Sequence, residues 1–126
     1  MSRYGDIFTD ERLRTIFPPE RADDFFEALF GDAEEGSYDI ELGYVGHRDA
    51  ALEFVLRLIQ RPGKCLACNL TYGLPKVFAR HPVINAGGIA EAVAEAAGHA
   101  SATWQFGNTR EDSRELHVVP LIITLG

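Results

Sequence analysis

Apolar positions recur with helical spacing through the first thirty residues and with strict alternation from residue 38 onward, so the chain changes from helix to strand near one acidic turn. Thr9 is placed to cap a helix over Asp10–Phe17, with Asp10 and Glu11 in the first turn where the macrodipole favours negative charge. Phe8 and Leu13 stand one turn apart across that cap, the arrangement of a hydrophobic staple. Pro18-Pro19 ends this helix and opens the next, because proline suits the first helical position and not the interior. The second helix runs from about Pro19 to Phe30 and gathers Ala22, Phe25, Phe26 and Leu29 on one face, with Gly31 as its C-terminal cap. Residues 9–30 thus form an αα-hairpin with an apolar side to cover.

Beyond Asp32–Gly36 the period is two. Tyr38, Ile40, Leu42 and Tyr44 share one side of a strand, and Leu52, Phe54, Leu56 and Leu58 share one side of the next, with Glu53, Val55 and Arg57 on the other. Lys64–Tyr72 reads as a third strand, and connections this short make the three an antiparallel meander. One helical turn is expected at Lys76–Arg80. Asn85 then caps a helix over Ala86–Ala97 that Gly98 closes, with Ile89, Val93 and Ala96 on its apolar face. A C-terminal hairpin follows. Ala100, Ala102, Trp104 and Phe106 alternate with polar residues, and the last strand, Glu115–Leu125, is apolar on both faces. That strand is expected to be central in the sheet or covered twice, with Pro120 needing a bulge or an unpaired edge.

The pattern is α+β in the order ααβββαββ: a five-stranded antiparallel sheet, meander plus C-terminal hairpin, with helices mainly on one face. At 126 residues, with the sheet and its helix over about 37–125, it forms one domain, 1–126. The 46% apolar and 25% charged content is that of a globular chain able to bury its own core. A net charge of −7 with scattered basic residues argues against nucleic acid and anionic membrane as partners. The longest apolar run, Val118–Ile123, is too short to cross a bilayer. Met1–Asp6 has no apolar stretch behind Arg3, so no signal peptide is expected, and two cysteines do not make a secreted disulfide framework. The expected setting is the cytoplasm, with reduced thiols.

Chemistry concentrates in two segments. Cys65-Leu66-Ala67-Cys68 admits three readings. A zinc site would need two further ligands from His47, His81, His99 and His117; His81 follows Cys68 at a finger-like spacing, and His99 or His117 would have to arrive from elsewhere, with His81 and His99 the leading pair. A redox dithiol would need the pair to open a helix, and Asn69–Pro75 is a poor helix opening. On a strand, residues three apart point to opposite faces, so the thiols could neither share a metal nor close an easy disulfide; alternation fits this reading best. The second segment holds Arg80, His81, Asn85, Gly87 and Gly88, a loop leading into a helix whose first-turn glycines leave backbone N–H groups open to an anion. The plainer account is that those glycines let the helix lie close to the sheet. Asp23, Asp24 and Glu27 could hold a cation or form a solvated face, and the latter is the ordinary outcome. Phe30 and Phe78 fit the core pattern least well and are assigned to a pocket or partner surface.

No complete catalytic constellation is present: there is no G-x-S-x-G and no H-E-x-x-H. The reading is a small non-enzymatic binding or interaction domain, homodimeric through its two-faced last strand, with no cofactor. A protein partner or self-association fits better than nucleic acid, and a small-molecule ligand stays open. The alternative is a zinc-binding or thiol-redox protein using Cys65, Cys68 and His81.

Overall fold

The computed structural model describes residues 3–32, 36–66 and 73–126, apart from the side chains of Arg3 and Phe30. Its elements are α1 (Arg3–Ile7), α2 (Asp10–Ile16), α3 (Glu20–Phe30), β1 (Tyr38–Arg48), β2 (Ala51–Gln60), α4 (Leu74–Arg80), α5 (Ala86–Ala96), β3 (Ala102–Phe106), β4 (Arg110–Glu111) and β5 (Leu116–Leu125). The strands form one five-stranded antiparallel sheet in the order β1-β2-β5-β3, with β4 also paired to β5. Helices pack against it, as the α+β pattern requires.

Local chemistry accounts for the helix ends. The Thr9 hydroxyl accepts from the Arg12 amide at 3.3 Å, and Gly31 ends α3 at φ 80°, a left-handed conformation that costs glycine little. Phe8 and Leu13 are both buried, as the staple demands. Packing accounts for the rest. Phe8 meets Phe54 edge-on at 5.2 Å, Phe26 meets Tyr38 at 4.8 Å, and Phe78 lies between Phe25 and Phe106 at 5.5 and 6.2 Å. Phe78 is therefore a core residue and not a pocket cover; it is fully buried, because α4 is longer than the single turn expected at Lys76–Arg80 and lays that ring on the sheet. The side chain of Phe30 lies outside the described residues.

All these contacts fall on one side of the sheet. Its residues in the main core are Tyr38, Ile40 and Leu42 on β1, Leu52 through Leu58 in alternation on β2, and Val119, Leu121, Ile123 and Leu125 on β5. Cross-strand pairing, Leu42 with Leu56 and Phe54 with Leu121 among others, keeps them on that face.

The last strand is central, between β2 on one side and β3 with β4 on the other. Pro120 is accommodated where the outer neighbour breaks. β3 pairs with residues 121–125 and β4 with residues 117–118, so the missing N–H of Pro120 coincides with the interruption between them. Gly107 donates to the Pro120 carbonyl at 2.8 Å, and a Cβ at Gly107 would lie 3.2 Å from that of Pro120.

The meander differs from expectation. β2 has β1 and β5 as its two neighbours, so neither edge is left for a third consecutive strand. Gly63 turns the chain at φ 74°, and Lys64, Cys65 and Leu66 carry no strand. The remainder of the expected strand, residues 67–72, lies outside the described residues.

Candidate functional site

The second side of the sheet has its own composition. Pairing places five cross-strand rows on it: Asp39-Ile59-Leu116, Glu41-Arg57-Val118-Arg110, Gly43-Val55-Pro120, Gly46-Glu53-Ile122-Gln105 and Arg48-Ala51-Thr124-Thr103. None of these residues belongs to the main core. Val55 and Val118 are nevertheless buried, at 6% and 3%, and form a small apolar centre apart from the helices. Ile59, Leu116, Pro120 and Ile122 extend it along β2 and β5, half-buried. Charged residues stand mainly on the flanking strands, so the face has an apolar middle and a polar border, the anatomy of a protein interface.

Three details shape this face. The Arg57 guanidinium lies over Gly43, where a Cβ would come within 2.9 Å of its Cζ, and reaches Glu41 at 3.6 Å. At the β1–β2 turn the register shifts between Tyr44 and Gly46, and the extra residue, Val45, is 56% exposed. Val45, Arg48, Glu53 and Ile122 line a depression of about 420 Å³ there. Along the opposite border Arg110 donates to Asp112 at 2.7 Å; this bond holds the Asp112 carboxyl below the usual carboxylate range and raises the Arg110 guanidinium.

The segment 80–88 is occupied with holding α5. His81 caps α4, its Nδ1 accepts from the Val83 amide at 3.2 Å, and its ring meets Phe25 edge-on at 4.8 Å. Arg21 of α3 donates to the carbonyls of Val83 and Ile84 at 3.2 and 3.4 Å. Asn85 adopts φ 49°, and its Oδ1 accepts from the Gly88 amide at 3.1 Å. Gly87 sits against the sheet, with Trp104 Nε1 3.8 Å from where its Cβ would be. Arg80 is exposed at the end of α4. The acidic face of α3 gives Asp23 to Arg61 at 2.6 Å.

The two leading histidine candidates for a metal, His81 and His99, lie at opposite ends of α5. His81 precedes α5 and His99 follows it, and eleven residues of helix put about 16 Å between the ends. His99 Nδ1 is engaged with the Gly126 carbonyl at 2.9 Å. Among the described residues no group of three or more His, Cys, Asp or Glu is placed to hold a metal ion. Cys65 is disulfide-bonded, which overturns both the expectation of reduced thiols and the strand reading that made a bond difficult. The bond is possible because no strand forms at Lys64–Leu66 to fix the side chains on alternate faces. The sequence has one other cysteine, Cys68, which lies outside the described residues.

Alternation alone marks Val55, Val118 and Ile122 as the wrong side of their strands. The two-faced character of β5 was the signal that pointed to this surface; the rows that assemble it depend on β5 pairing with β2, sixty residues away. No helix among the described residues is long and apolar enough to cross a membrane. Comparison with protein-family models, curated proteins and solved structures finds no match to this chain.

Proposed function

We propose that this protein is a cytoplasmic, non-enzymatic interaction domain whose working surface is the side of the sheet opposite the described helices. One observation carries the reading: Ile59, Leu116, Pro120 and Ile122 stay half-exposed around the buried pair Val55 and Val118, outside the main core and bordered by charged residues. Photo-cross-linking in the source cells tests it. A photoreactive residue at Thr124, exposed on this face, is expected to give protein adducts, and one at Glu91, exposed on α5, is expected to give none. If Thr124 yields nothing, the surface is not an interface.

A second reading is favoured by the disulfide-bonded Cys65. In the cytoplasm such bonds are transient and redox-sensing. Here the cysteine pair would accept two electrons and two protons from a cellular dithiol, which itself becomes a disulfide, and release two thiols. Native alkylation is expected to find no reactive thiol before treatment with a dithiol and two afterwards. Two thiols in untreated protein would refute it.

A further inference from the structure

We infer that the occupant of the face opposite the described helices is a second copy of this chain, packed sheet to sheet about a two-fold axis that crosses the strands at the Gly43-Val55-Pro120 row. The inference rests on the interaction-surface reading and names its partner. The register carries it. A rotation about an axis lying along that row exchanges the row above with the row below on the same strand. On β2 this brings Arg57 of one copy over Glu53 of the other, and at the border it brings Asp39 over Arg48. On β5 it brings Val118 over Ile122, and on β2 Ile59 over Ala51. Val55 and Pro120 then meet their own counterparts on the axis. At these positions opposite charges face one another and apolar residues face apolar ones, while Leu116 falls over Thr124, Glu41 over Gly46 and Arg110 over Gln105, so a single surface supplies most of the self-complementarity an isologous dimer requires.

Charge and area agree with this occupant. The chain carries −7, which opposes the approach of two copies at random. The paired strands of this face nevertheless hold three acidic residues (Asp39, Glu41 and Glu53) and three basic ones (Arg48, Arg57 and Arg110), so the face itself is neutral. Ten-residue strands at ~3.4 Å per residue and four strand widths of ~4.8 Å give roughly 650 Å² per copy. Two copies would bury roughly 1,300 Å², within the range of specific interfaces. The central row consists of glycine, valine and proline, low enough for two sheets to approach to the usual ~10 Å.

Sedimentation and a charge-swap series test the geometry, with thermal melts confirming that each variant folds. The wild type is expected to dimerise. Glu53→Arg sets like charges against Arg57 of the second copy, and Arg48→Asp does so against Asp39; each is expected to raise the dissociation constant at least about tenfold. The double variant Glu53→Arg/Arg57→Glu restores the pairing and is expected to recover most of the loss; a general charge effect would act the other way in the single variant, since Glu53→Arg takes the net charge from −7 to about −5 and would ease the approach of two copies. Ile122→Lys is expected to abolish association. A dimer indifferent to all four variants overturns the inference. A strict monomer whose Thr124 cross-links only other proteins overturns it and leaves the interaction surface standing, whereas a Thr124 that cross-links nothing overturns both.

Discussion

Gly88 and Asn85 provide the sharpest test of why the glycine-rich start of α5 exists. Asn85 caps the helix through Oδ1 to the Gly88 amide, and a Cβ at Gly88 would fall 2.8 Å from Asn85 Cγ. Gly88→Ala therefore has two opposed effects. It adds about 1 kcal/mol of helix propensity, and it expels the Asn85 side chain, losing a cap of about 1 kcal/mol. The single variant is expected to be within about 0.5 kcal/mol of wild type. Asn85→Gly costs only a few tenths, since glycine is a tolerable cap and adopts φ 49° without strain. In that background there is no cap left to expel, so adding Gly88→Ala is expected to recover the full propensity gain. The double variant should then be more stable than wild type by about 0.5–0.8 kcal/mol, with a coupling of about 1 kcal/mol between the positions. For a chain of this length each kcal/mol moves Tm by about 4 °C, well within the reach of calorimetry, with urea melts as a second measure. If Gly88→Ala has the same effect in both backgrounds, the cap is not what the glycine serves.

Arg61 holds Asp23 of α3 and Asp39 of β1 at 2.6 and 3.0 Å and lies 5.3 Å from the Phe26 ring. Arg61→Ala is expected to cost about 1–2 kcal/mol in urea melts, and Arg61→Lys to recover less than half, because one ammonium cannot serve two carboxylates and a ring as the planar fork does; full recovery by lysine would contradict this. The Asp112 carboxyl titrates below its ordinary value because Arg110 bonds its charged form. A folded-state pKa lowered in this way contributes stability above the unfolded carboxylate pKa and loses it as pH falls through the folded value. Carboxyl NMR titration is expected to show the low midpoint in wild type and a return to the ordinary range in Arg110→Ala; an unchanged midpoint would remove Arg110 as the cause.

The sequence by itself determined what depends on neighbours in the chain. Thr9, Gly31 and Asn85 act where their own backbone demands a cap, and alternation in Tyr38–Tyr44 and Leu52–Leu58 assigns each side chain a face whatever lies opposite. It also marked β5 as a strand with two apolar faces. Tertiary structure alone decided which strands become neighbours. β5 takes the place beside β2 that the meander reading gave to Lys64–Tyr72, and a strand apolar on both faces gains from such a central place. The same contest decided the site. Glu53, Arg57, Val118 and Ile122 belong to one surface only because β2 and β5 pair in one register, and a slip of a single residue would have sent them to the core side. The Asn85–Gly88 segment, by contrast, is local, and its geometry satisfies the cap that its residue types suggest. Local chemistry is legible in order along the chain; a surface assembled across strands is not, since its residues are joined by hydrogen bonds between distant segments.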